Sequence, residues 1–219
     1  WKHEILPLQW RIAVQGVLLW LANSMPLLLI FKGRPEGEAA QLGMTWTILT
    51  ALQGASLAWI ETRRPVFGAL IAARKYSELD RLFFRLMRLS MTVMTVAVSF
   101  FCSVVWWMGT RSEWLLERLS GRMLPVGATV LFSIAMVLIQ FALCTNLYVR
   151  AHKRDPFLVA SIISSLTVAT LEVWLGSLYG CTGIALGYLL GIGCIQVPLW
   201  TLIWSRTRKE WHRTESSHA

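Results

Sequence analysis

The sequence predicts an all-α integral membrane protein, a bundle of six transmembrane helices with both termini cytoplasmic and an amphipathic interfacial segment between helices 2 and 3. Three observations lead there. Of the 219 residues, 55% are hydrophobic and only 15% charged, against roughly 25% charged in a soluble domain. Six apolar runs each approach the roughly 20 residues that a helix needs to cross a hydrocarbon core of about 30 Å. The Lys and Arg residues gather in alternate connections between those runs, the asymmetry that orients spans in a membrane. Helices are required because lipid offers no partner to an open backbone amide.

The runs are Trp10–Phe31, Ala39–Ile60, Leu89–Met108, Leu124–Val149, Phe157–Tyr179 and Thr182–Trp204. The flanks and connections assigned to the cytoplasm hold 16 Lys and Arg residues and the other three connections hold 5. The net charge of +9 is thereby explained by topology, and no nucleic-acid partner is expected. Trp10, Trp59, Trp200 and Trp204 fall near the inner interface and Trp46, Trp106, Trp107 and Trp174 near the outer one, where amphipathic rings settle. Trp20 falls mid-span. The whole of 1–219 reads as one bundle, with a cytoplasmic connection at 61–88 and a basic tail at 205–219.

In the first run, Arg11 lies about one turn in, where its side chain either snorkels to the interface or points into a cavity. Gln15 follows four residues later on the same face. The run is too long and too internally polar for a cleaved signal peptide, and the chain is expected to begin inside a longer protein. The second run has a small-residue stripe of Gly43, Thr47, Thr50, Gly54 and Ala58, expected to pack. Its polar stripe, Gln41, Thr45, Gln53 and Ser56, is expected to face the bundle interior or an aqueous cavity, with interhelical hydrogen bonding as the alternative account.

Between Glu61 and Arg88, Phe67, Leu70, Ile71, Leu79, Leu82, Phe83 and Leu86 recur at helical spacing among charges, the pattern of a segment lying on the inner membrane surface. Ser77 and Asp80 have capping-box spacing, which places a break near Tyr76. Pro125 and Pro156 suit first helical turns, whereas Pro26 and Pro198 fall inside runs and are candidate kinks. The fifth run carries Glu172, about 12 Å from its outer end by the helical rise. A carboxyl at that depth is costly while charged, which makes Glu172 a candidate coupling group or a hydrogen-bonded packing residue. The fifth connection is so short that the last two helices must be antiparallel neighbours. Gly183, Gly187 and Gly191 form a GxxxGxxxG row for close helix packing.

No nucleophile elbow, phosphate loop or zinc motif is present, so no enzymatic activity and no cofactor are expected. Cys102, Cys144, Cys181 and Cys194 have neither CxxC spacing nor His partners, predicting no disulfide and no metal. His3, His152, His212 and His218 fall in connections or tails and read as solvated.

Three stretches carry a resemblance: RPVFGALIAARKYSELDRL (Arg64–Leu82), YVRAHKRDP (Tyr148–Pro156) and LYGCTGIALGY (Leu178–Tyr188). In their order, the chain resembles the C-terminal half of a flippase of the multidrug/oligosaccharidyl-lipid/polysaccharide exporter superfamily, in its bacterial O-antigen and exopolysaccharide branch. The resemblance implies a twelve-helix transporter of two parallel six-helix halves in the bacterial inner membrane. Its substrate would be an undecaprenyl-diphosphate-linked oligosaccharide, flipped by alternating access, with membrane lipids, a second half or second copy, and polysaccharide polymerases or glycosyltransferases as partners. Depth and chemistry then make Arg11 and Arg150 the candidates for the diphosphate, with Arg63 and Arg64 at the inner mouth. Gln15, Gln41, Thr45 and Gln53 are the candidates for sugar hydroxyls. A multidrug or small-solute exporter and a non-transporting scaffold of a polysaccharide synthesis complex are the competing readings.

Overall fold

A computed structural model describes residues 9–10, 13–18, 20, 24, 36–111, 121–152 and 156–216, which are helices and short turns throughout. After helical turns at 13–18 come α1 (Glu36–Glu61), α2 (Arg64–Ala72), α3 (Tyr76–Gly109), α4 (Val126–Ala151) and α5 (Leu158–Leu190). A π-helical stretch, Gly191–Gln196, leads into α6 (Val197–Ser216). Three helical segments are long and apolar enough to cross a membrane: Tyr76–Gly109, Val126–Ala151 and Leu158–Arg208. Their outward side chains, among them Val96, Phe100, Ile134, Val159, Ile163 and Leu166, are large and apolar, as a lipid solvent permits. At 26 residues α1 is long enough too, but its threonines and glutamines make it more polar.

The segment Leu158–Arg208 is two helices rather than one. Gly180 has φ 68° and ψ −145°, a conformation that disfavours any side chain, and the chain reverses there. A Cβ on Gly183 would collide with the Leu175 carbonyl, one on Gly187 would lie 2.7 Å from the Leu171 carbonyl carbon, and one on Gly191 would lie 3.0 Å from Val168 Cα. The partner numbers fall as the glycine numbers rise, so the two arms run antiparallel with their backbones in contact. The expected glycine row is thus the seam of a hairpin. Beyond it, Pro198 has no amide hydrogen to offer the Cys194 carbonyl. The helix widens just before it, and the Val197 amide donates to the Ile192 carbonyl five residues back, so the expected kink is a π-turn. Pro125 is the N-cap of α4 rather than its first-turn residue, Pro156 lies in the turn before α5, and Pro26 lies outside the described residues.

Helix α4 is central and touches α1, α2, α3, α5 and α6. At one end Trp46, Phe132 and Tyr188 meet edge-on or tilted at 5.2–5.8 Å. At the other, Phe83 packs on Tyr148 at 4.7 Å and Phe157 on Trp200 at 5.0 Å. Trp200 is thus buried and Trp46 half-buried against protein, while Trp59, Trp106, Trp107 and Trp174 are exposed. Midway, Ser90 Oγ donates to the Ser56 carbonyl at 2.7 Å and accepts from Gln140 Nε2 at 2.8 Å, linking α1, α3 and α4.

On α1 the polar stripe turns to the bundle interior, and the small-residue stripe does not pack as expected. Thr45 and Ser56 are buried against protein, whereas Thr47, Gly54 and Ala58 face outward. Hydroxyls gain most where another helix supplies a partner, and the outward Thr47 satisfies its own by donating to the Gly43 carbonyl at 2.8 Å.

The segment at 61–88 also differs from expectation. It breaks at 73–75, with Arg74 at φ 56°, and the Arg74 and Lys75 amides reach back to the Ile71 and Leu70 carbonyls, a Schellman closure of α2. The chain then continues as one helix of 34 residues, about 50 Å long at the helical rise, so its first turns extend well beyond a hydrocarbon core. Phe67, Leu79 and Phe83 are fully buried against the bundle and not turned to a membrane surface. Ser77 and Asp80 do not cap the helix, whose N-cap Lys75 has no side-chain cap bond. Asp80 instead accepts from the Tyr148 hydroxyl at 2.7 Å and from Arg208 Nε at 3.0 Å. The Arg208 guanidinium in turn covers the Phe84 and Trp204 rings at 5.0 and 5.7 Å. This junction ties α3, α4 and α6 together.

Two outcomes follow for thermal unfolding of the purified protein. Gly187→Ala costs about 3 kcal/mol or more, because the colliding atoms are backbone and cannot move aside, whereas Gly54→Ala, with open space around it, is neutral or stabilises by up to about 1 kcal/mol. Asp80→Asn destabilises by about 1–3 kcal/mol, since the half-buried Arg208 loses its counter-charge.

Candidate functional site

A polar cavity of about 140 Å³ lies between the 13–18 turns, α4, α5 and the π-turn. Among the described residues its cation is Arg150, in the last turn of α4, whose Nη2 donates to Gln15 Oε1 at 2.7 Å. One α4 turn away is Asn146, and facing it on α5 are Ser161, Ser164 and Ser165, which share a face by their spacing. The π-turn contributes Gln196, and α6 closes the wall with Trp200.

Most of this lining is buried, yet Asn146 Oδ1, Gln15 Nε2 and Trp200 Nε1 have no hydrogen-bond partner among the described residues. A buried polar atom left open costs about 1–3 kcal/mol, so one acceptor and two donors stand ready for a ligand or solvent. Among the described residues of its wall, the cavity holds a fixed positive charge and no carboxylate. It suits an anion or a hydroxyl-rich group, the latter because a hydroxyl both donates and accepts.

The structure brings together two of the residues the sequence singled out, Gln15 and Arg150. Arg11 lies outside the described residues. Gln41 Nε2 donates to the Gly121 carbonyl at 2.8 Å, and Thr45 Oγ1 accepts from the Leu124 amide at 3.1 Å, so both fasten the turn before α4 instead of lining the cavity. Gln53 and Ser56 are also absent from its wall. Arg63 is the N-cap of α2 and Arg64 pairs with Glu61 at 3.2 Å, both exposed. Glu172 is fully buried in the hairpin seam, opposite Gly187, with no partner for either carboxylate oxygen. It stands about 10 Å along α5 from Ser165 by the helical rise. His152 is not solvated as expected: its ring stacks on Tyr76 at 6.3 Å, and its Nδ1 lies 3.1 Å from the Tyr148 carbonyl.

Sequence reasoning missed Asn146, Gln196, Trp200 and the three serines. The serine spacing, i, i+3 and i+4 in an apolar run, was the available signal. All four cysteines are free, and among the described residues no three His, Cys, Asp or Glu side chains come together. The chain matches no family model, no curated protein and no solved structure.

The open acceptor gives a direct expectation. Asn146→Leu removes an orphaned buried carbonyl with a side chain of the same branching, whose extra volume the adjoining cavity takes up, and raises stability by about 1 kcal/mol in thermal unfolding.

Proposed function

We propose that this chain is a six-span half, both ends cytoplasmic, of a bacterial inner-membrane transporter that flips an undecaprenyl-diphosphate-linked oligosaccharide by alternating access. The observation that carries the proposal is Arg150, held by Gln15 at the wall of a polar cavity inside a bundle whose outer surface is apolar. A diphosphate sheds hydration to cross a bilayer, and a fixed guanidinium replaces part of that hydration with charge-assisted hydrogen bonds. Asn146, Gln196 and the serines of α5 offer hydroxyl partners beside it, while the isoprenoid tail stays in the surrounding lipid. The three stretches that resemble polysaccharide flippases point to the same substrate class. Glu172, a buried carboxyl without a partner, is the candidate for coupling, and polysaccharide polymerases and glycosyltransferases are the expected neighbours.

Complementation of polysaccharide export by the complete reading frame tests this reading. Arg150→Ala lowers export about ten- to a hundredfold, from the roughly 1.5–3 kcal/mol of a charged hydrogen bond, at unchanged protein abundance in the membrane, and Arg150→Lys recovers part of it. Export at the normal level with Arg150→Ala overturns the proposal.

A further inference from the structure

On α3, Arg81, Arg85 and Arg88 are followed on the same helical stripe by Thr92, Thr95, Ser99 and Cys102, at alternating steps of four and three residues. All are exposed except Cys102, which is half-buried. From Thr95 upward the stripe forms one wall of an open groove of about 390 Å³, whose other wall is α4 with Val130, Ile134 and Leu138. The Cys102 thiol meets the Ser133 hydroxyl at 3.2 Å across its floor, and the Thr95 hydroxyl is occupied by the Met91 carbonyl at 2.8 Å. The groove therefore offers mainly carbon to an occupant.

Among the described residues no carboxylate pairs with the charges at its lower end, where Arg88 Nε donates to the Phe84 carbonyl at 3.4 Å. The acids nearest in sequence are Glu78, which pairs with Lys75 at 3.2 Å, and Asp80, which is engaged by Tyr148 and Arg208. Three exposed guanidinium groups thus face outward with no carboxylate on their stripe. By the helical rise, Thr95 is about 10 Å above Arg88 and Cys102 about 21 Å above it. One leaflet has about the same depth, from phosphate level to the bilayer midplane.

We infer that this stripe and groove form a binding site for one anionic bilayer phospholipid, its phosphate on Arg85 and Arg88 and an acyl chain along the groove between α3 and α4. Arg81 extends the positive field one turn further out. Charge complementarity selects an anionic headgroup over a zwitterionic one, and the apolar groove distinguishes a bound lipid from diffuse attraction to a surface. The site is separate from the Arg150 cavity, and its occupancy does not depend on whether the chain transports anything.

Native mass spectrometry of the delipidated full-length protein, titrated with phosphatidylglycerol, phosphatidylcholine or undecaprenyl phosphate, tests the inference. Phosphatidylglycerol is retained best, and Arg85→Gln with Arg88→Gln lowers its retention about 20- to 30-fold. Ser99→Trp, which fills the groove from an exposed position, lowers it as well. Arg206→Gln, removing an exposed arginine on α6, leaves it unchanged. Three results overturn the site: undiminished retention in the double arginine variant, an equal loss with Arg206→Gln, which would mean diffuse attraction, or preferential binding of undecaprenyl phosphate, which would make the groove a carrier-lipid site.

Discussion

The backbone contact between the two arms of the α5 hairpin is the constraint on which the rest of the structure depends. Gly180 turns the chain, and Gly183, Gly187 and Gly191 let the returning arm lie against Leu175, Leu171 and Val168. With the arms this close, Ser161 and Ser164 stand across from Gln196 and Trp200, and α4 fits against both arms. The π-turn before Pro198 belongs to the same arrangement, since it puts Gln196 at the cavity wall. A wider seam would separate the polar groups that now converge.

Lipid as a solvent explains the distribution of polarity on the other helices. In water a helix hides its apolar stripe, but here the apolar side chains can remain outside and the hydrogen-bonding groups seek one another. Ser56, Ser90 and Gln140 do so across three helices, and α1 turns Thr45 inward to hold the Leu124 amide. The outward Thr47 and Thr95 cost little, because each returns its hydroxyl to its own helix.

The two buried acids differ in what surrounds them. Asp80 sits where three helices end and is met by a hydroxyl and a guanidinium, so its charge serves as a tie between α3, α4 and α6. Glu172 sits in the seam with neither oxygen engaged. A group left in that condition contributes nothing to packing that an apolar residue of its size would not. Arg150 lies between these extremes, engaged by Gln15 yet facing open volume.

The helical architecture, the tight reversal near Gly180 and the outward apolar surface were determined by the sequence alone, and so was the place of the break near Tyr76, though not the Arg74 closure that makes it. Each is a local property: a composition, a 3.6-residue period, or a backbone angle that one residue type tolerates. Only the tertiary structure decided that Gln15 and Arg150 meet, that Asn146, Gln196 and the α5 serines join them, that Gln41 and Thr45 fasten a turn, and that Asp80 binds Arg208, 128 residues away. The period of a helix fixes which residues share a face but not what lies opposite that face. The faces of α1 make the point, since either stripe could have packed and the choice depended on which neighbour carried hydrogen-bonding groups.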